Sequence, residues 1–142
     1  MKKYLLDTNI CIHFLGDEYN IKEKINDARL ENCFVSEVTI AELKFGAENS
    51  QNKEKNRKTI DDFGRKFSVI PIYNSLDIYA KEKARLRKKG QSLDDFDLLI
   101  GATAISNNFV LVTRNVSDFD RMDGIEIKNW VDDLGRLSRT VP

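Results

Sequence analysis

The run Tyr4-Leu5-Leu6-Asp7-Thr8-Asn9-Ile10-Cys11-Ile12-His13-Phe14-Leu15 sets the class of fold. Tyr4 to Leu6 is apolar without alternation, the pattern of a strand buried on both faces, and it passes directly into Asp-Thr-Asn and a helical segment over 10–15. Asp7 is thereby placed at the strand's carboxyl end. The same succession repeats outward. Ile21, Ile25 and Ala28 share a helical face over 21–30, and Cys33-Phe34-Val35 follows as a second buried strand. A helix is predicted from Thr39 through TIAELKFGAE, then a polar loop over 49–56. Ile60 and Phe63 form a helical face leading to a third strand over 67–70, closed by Pro71. Residues 76–89 are a basic helix stopped by Gly90, and Ser92 with Asp95 is a capping-box pattern that opens another helix through Ile105. Phe109 to Thr113 is the clearest strand, and 125–127 is a short last one.

Helices between buried, non-alternating strands imply an α/β fold with a central parallel sheet, because each parallel crossover needs a dozen or more residues. The expected core is Leu5, Leu6, Phe34, Val35, Val69, Ile70, Val110, Leu111 and Val112, within a single domain spanning 1–142. The order of the strands cannot be read from the pattern. In such sheets ligands bind beyond the carboxyl ends of the strands, where Asp7 and the Thr113-Arg114-Asn115 turn belong. The 23 Lys plus Arg balance 23 Asp plus Glu, so any field that attracts nucleic acid has to be local. Cys11 and Cys33 lie in apolar surroundings without CxxC spacing, which reads as buried thiols in a reducing compartment. The apolar run after Lys2 and Lys3 breaks at Asp7, too early for a signal-peptide core, and no stretch approaches a membrane span of roughly 20 apolar residues. A soluble, cytoplasmic protein is expected.

Three acids stand out, each with an ordinary alternative. Asp7 is placed as a helix N-cap, and Glu42 completes a capping box with Thr39. Asp97 sits one turn inside a helix beside Leu99, Ile100 and Ala104, where solvated surface is a poorer explanation. Asp94 and Asp95 read as first-turn residues favoured by the helix dipole. Asp118 is either a turn residue or a fourth acid reaching the same crevice. Carboxylates converging on one crevice repel each other unless a divalent cation neutralises them, and oxygen ligands suit Mg²⁺ or Mn²⁺. The single histidine, His13, reads as structural and argues against zinc.

The motifs Leu5-Leu6-Asp7-Thr8-Asn9-Ile10, Ser36-Glu37-Val38-Thr39-Ile40-Ala41-Glu42-Leu43 with Gly46-Ala47, Asp97 to Ala104, and Leu111 to Phe119, closing near Trp130, occur in an order and spacing that resembles the PIN-domain ribonucleases, and within them the VapC toxins of bacterial toxin–antitoxin pairs. The resemblance spans nearly the whole chain. It implies a three-layer αβα fold, endoribonuclease activity, homodimerisation and neutralisation by a small VapB-like antitoxin. It also implies metal ligands at Asp7 and Asp97, with Glu42 acting directly or through water, and supporting polar groups at Thr8 or Asn9. Where many PIN domains have a fourth acid after the fourth strand, this chain has Asn115, with Asp118 three residues on. Asn115 contributes an acceptor oxygen but no charge.

The chemistry this set serves is phosphodiester hydrolysis by an in-line water, with Glu42 orienting or deprotonating the nucleophile and the ribose 3′-oxygen leaving. By the resemblance the products carry 5′-phosphate and 3′-hydroxyl ends, and RNA, tRNA among its forms, is the substrate. Six cations against one anion over 81–89, and Arg114, are candidates to hold it. A haloacid dehalogenase-like phosphotransferase requires an Asp where Asn9 stands, and a receiver domain requires one after the third strand, where Pro71 follows. A catalytically inert PIN-like module that binds RNA or protein is the remaining alternative.

Overall fold

The computed structural model describes residues 1–131. Its strands are β1 (Tyr4–Leu6), β2 (Cys33–Ser36), β3 (Ser68–Ile70), β4 (Val110–Val112) and β5 (Glu126–Lys128). The helices are α1 (Thr8–Leu15), α2 (Ile21–Ala28), α3 (Glu37–Glu48), α4 (Lys53–Lys66), α5 (Leu76–Lys88), α6 (Asp95–Ser106) and α7 (Val116–Phe119). All strand pairs are parallel, in the order β3-β2-β1-β4-β5. The chain therefore winds outward from β1 in one direction and then restarts on the other side with β4. Right-handed crossovers then put helices on opposite faces of the two halves.

Alternation along the strands builds both interfaces. Leu5 and Leu111 pack with Leu86, Leu98, Ile100, Phe119 and Met122 on one face, while Leu6 and Val112 pack with Ile10, Phe14, Ile25, Leu43 and Phe63 on the other. This gives the three αβα layers, with α1 to α4 chiefly on one side and α5 to α7 on the other. Cys11 and Cys33 are buried free thiols, and burial pushes both up from the usual thiol range. No described helix is long and apolar enough to cross a membrane.

Several local expectations shift. Val69, expected in the core, is 38% exposed, because β3 is the edge strand and its outer side meets solvent. Helix α3 begins at Glu37, capped by Ser36, whose Oγ accepts from the Val38 backbone N–H. Thr39 is inside the helix, so Glu42 is not part of a capping box. Likewise Asp94, not Ser92, caps α6, its carboxylate accepting from the Phe96 N–H. The loop expected over 49–56 is shorter, because α4 already starts at Lys53 and runs on to bury Ile60 and Phe63. Helix α5 ends as anticipated: Gly90 takes φ +67°, and the Gln91 N–H reaches back to the Leu86 carbonyl at 2.9 Å, a Schellman closure. The tail from Asp132 onward lies outside the described residues.

Candidate active site

The restart of winding between β1 and β4 opens a crevice at their carboxyl ends, the switch point at which open α/β sheets bind ligands. A cavity of about 640 Å³ lies there, walled on its polar side by Asp7, Thr8, Glu42, Asp97 and Asn115 and on its apolar side by Ile12, Leu15, Leu43, Ala47 and Ile60. Three acids far apart in sequence thus share one wall.

Asp7 is held from two directions. Its Oδ1 accepts from the Thr8 N–H at 2.8 Å, while its Oδ2 accepts from Thr113 Oγ1 at 2.8 Å. The Thr113 hydroxyl also accepts the Asn115 backbone N–H at 2.9 Å. A backbone N–H can only donate, so the relay runs from Asn115 through Thr113 to Asp7 and requires an accepting oxygen on the carboxylate. Thr113 is fully buried and joins the ends of β4 and β1. Burial pushes the Asp7 carboxyl up from its ordinary range, Glu42 adds repulsion, and the two hydrogen bonds oppose them.

Glu42, on the same wall, is positioned by α1. Its Oε1 accepts from Thr8 Oγ1 at 2.7 Å, and Thr8 Oγ1 lies 3.0 Å from the hydroxyl of buried Thr39. With the Thr8 proton committed to Glu42, Thr39 donates to Thr8. Asp97 enters from the first turn of α6. Partial burial, then the charges of Asp7, Asp94, Glu42 and Asp118, raise its pKa from 3.8 to about 6.

Asn115 is on the cavity wall, whereas Asp118 stands behind it: Asp118 Oδ2 accepts from Asn115 Nδ2 at 2.9 Å, and its Oδ1 lies 3.4 Å from Arg121 Nη2. His13 turns away to Glu18, at 3.0 Å, and to the Tyr19 ring. Asn9 lines the cavity. Of the cations over 81–89, none lines it; Lys83 pairs with Asp95, and Arg85 with Glu82 and Asp123. Arg114 stacks on Tyr19, 5.4 Å from the ring centroid. The sequence pattern assigned no role to Thr113 and marked Thr39 only as a helix cap. Its place directly after the β4 strand is the one sequence signal for Thr113, and nothing local marks Thr39 as the partner of Thr8.

The donors around the cavity are carboxylate and amide oxygens; burial first and then repulsion from neighbouring acids raise Asp97, and a hard divalent cation relieves the repulsion. Among the described residues, no three His, Cys, Asp or Glu side chains are drawn together to chelate one ion directly. Acids distributed around an open cavity suit a cation that keeps part of its water shell.

Comparison with known proteins agrees with this geometry. The PIN domain family matches residues 4–125. Ribonuclease VapC2 of Rickettsia felis is 33% identical over 132 residues, covering 89% of this chain and 97% of that protein. The tRNA(fMet)-specific endonuclease VapC of Shigella flexneri is 32% identical over 132 residues, covering 92% and 99%. The crystal structure of DNA-bound VapBC from Salmonella typhimurium contains a chain that aligns with a TM-score of 0.85 at 31% identity, over 92% of this chain and 99% of that one. The fold, the cavity at its switch point and these relatives lead to one assignment: the chain belongs to the PIN domain family, among the VapC-type ribonucleases.

Proposed function

We propose that the cavity is the catalytic site of a Mg²⁺- or Mn²⁺-dependent endoribonuclease that acts as the toxin of a toxin–antitoxin pair. The observation that carries this reading is the sharing of one switch-point cavity by Asp7, Glu42 and Asp97. Asp7 and Asp97 hold the cation, with Glu42 directly or through water. A divalent cation there supplies Lewis acidity and charge neutralisation to phosphodiester hydrolysis. Glu42, with Oε1 fixed by Thr8, has Oε2 left to orient and deprotonate the attacking water. Thr113 keeps Asp7 in its accepting form and orientation. With His13 engaged elsewhere, no pair of histidines serves a 2′-hydroxyl attack, which supports water as nucleophile and a 3′-hydroxyl product end.

The tRNA specificity named for the Shigella relative supports a tRNA substrate, and the VapBC complexes among the solved structures support a VapB-like antitoxin as partner. Arg114, exposed beside Asn115, is the cation we assign to a substrate phosphate. A homodimer, one domain over residues 1–142 and a cytoplasmic location complete the reading. One observation favours a second reading, an inert RNA- or protein-binding module: the wall has Asn115 where an acid would add charge.

The test is incubation of antitoxin-free protein with total tRNA and Mg²⁺ or Mn²⁺, against EDTA and an Asp7→Asn variant, with cleaved ends mapped. Discrete metal-dependent cuts with 3′-hydroxyl ends, absent in the variant, are expected. Intact RNA together with no Mn²⁺-dependent rise in melting temperature would establish the inert module.

A further inference from the structure

Asn115 occupies the first position before α7, where asparagine is a favoured helix cap, yet its side chain caps nothing. The amide is committed elsewhere, to Asp118 Oδ2 at 2.9 Å. An ionised carboxylate only accepts, so the Asn115 group that faces it is the NH₂, and the orientation of the amide follows from the chemistry of its partner. Both oxygens of Asp118 are engaged, one by Asn115 and one by Arg121, whose own carbonyl accepts from Arg85 Nη2 at 2.7 Å. Arg85 in turn is held by Glu82. Asp118 is thus engaged by Asn115 and Arg121 and does not line the cavity, while Asn115 does. No hydrogen bond to Asn115 Oδ1 occurs among the described residues.

We infer that Asp118 is a positioning residue: it holds the Asn115 amide so that the carbonyl oxygen, not the NH₂, serves as the fourth oxygen of the site. The inference rests on the cation-binding reading of the cavity. It explains the residue type at 115, since an aspartate there would set two carboxylates at hydrogen-bonding distance. Aspartate is tolerated at 115 only if 118 becomes the donor. Exchanging the two residues preserves the hydrogen bond with its direction reversed and moves one negative charge from behind the wall onto it.

The experiment compares wild type, Asn115→Asp, and the exchange Asn115→Asp with Asp118→Asn, each by melting in EDTA and by calorimetric titration with Mn²⁺. In EDTA the single variant should melt about 3 °C below wild type, with the exchange recovering most of the loss. Mn²⁺ should bind the exchange variant roughly tenfold tighter than wild type, because a charged ligand replaces a neutral one. Weaker binding by the exchange would make Asp118 itself a ligand, and unchanged affinity would mean that Asn115 does not face the cation; either overturns the inference. So does an exchange variant that melts no higher than Asn115→Asp. The cation-binding reading fails separately, if wild type gives no Mn²⁺ response, and the EDTA melts still judge the Asn115–Asp118 contact.

Discussion

Replacing Asp97 with asparagine is expected to stabilise the metal-free protein while removing its response to Mn²⁺. The folded chain holds the Asp97 carboxyl at about 6 against an ordinary 3.8. At neutral pH that difference of roughly 2 in pKa corresponds to at most ~3 kcal/mol of unfavourable charge. Asp97 is half-buried, and solvent screening reduces the figure to ~1.5 kcal/mol. Loss of a carboxylate from the first turn of α6 forfeits ~0.5 kcal/mol of helix-dipole attraction. The net gain is ~1 kcal/mol, a rise of about 3 °C in melting temperature for a chain of this size. Adding Mn²⁺ at a hundredfold excess over its dissociation constant should stabilise wild type by ~2.7 kcal/mol and the variant by far less, so that the ranking inverts. Thermal melts in EDTA and in Mn²⁺ read both effects. A variant that melts below wild type in EDTA, or one that Mn²⁺ stabilises as strongly as wild type, would refute the placement of Asp97 among mutually repelling acids.

The same charge sets a pH dependence. Because burial and neighbouring acids raise Asp97 and Asp7 above their ordinary values, the folded protein binds more protons than the unfolded chain; the metal-free protein should gain stability as pH falls through about 6 toward 3.8. Urea denaturation in EDTA at pH 5 and 7.5 should show this gain in wild type and less of it in Asp97→Asn. Protons compete with the cation for the same oxygens, so Mn²⁺ affinity measured by titration should weaken below pH 6 and stay flat above 7. Thr113→Val leaves the Asn115 N–H and Asp7 Oδ2 without their buried partner and should cost ~1–3 kcal/mol by denaturant unfolding, whereas Thr113→Ser should stay near wild type. At Gly101 an added Cβ would fall 2.4 Å from Met122 Sδ; Gly101→Ala should lose ~1 kcal/mol despite better helix propensity, with a smaller penalty in a Met122→Ala background.

The sequence by itself determined the class of fold and the candidates for the site. Buried strands separated by helical spacing are local patterns, and Leu5-Leu6-Asp7 or Leu111-Val112-Thr113 declare a strand and its end to any reader of neighbours. Helix starts were less legible, because Ser36 and Asp94 compete as caps with Thr39 and Ser92, and the choice depends on where the preceding segment is anchored. Val69 shows the same limit: its apolar run is indistinguishable from a central strand, and only its place at the sheet edge exposes it. Tertiary structure alone decided that β1 pairs with β4, and hence that Asp7 meets Thr113 across 106 residues. It also put Asn115 on the cavity wall and Asp118 behind it. The physical reason is that periodicity and turn chemistry are written in neighbouring residues. Which strand lies beside which, and therefore which oxygens share a cavity, is settled by the joint packing of helices on both faces of the sheet.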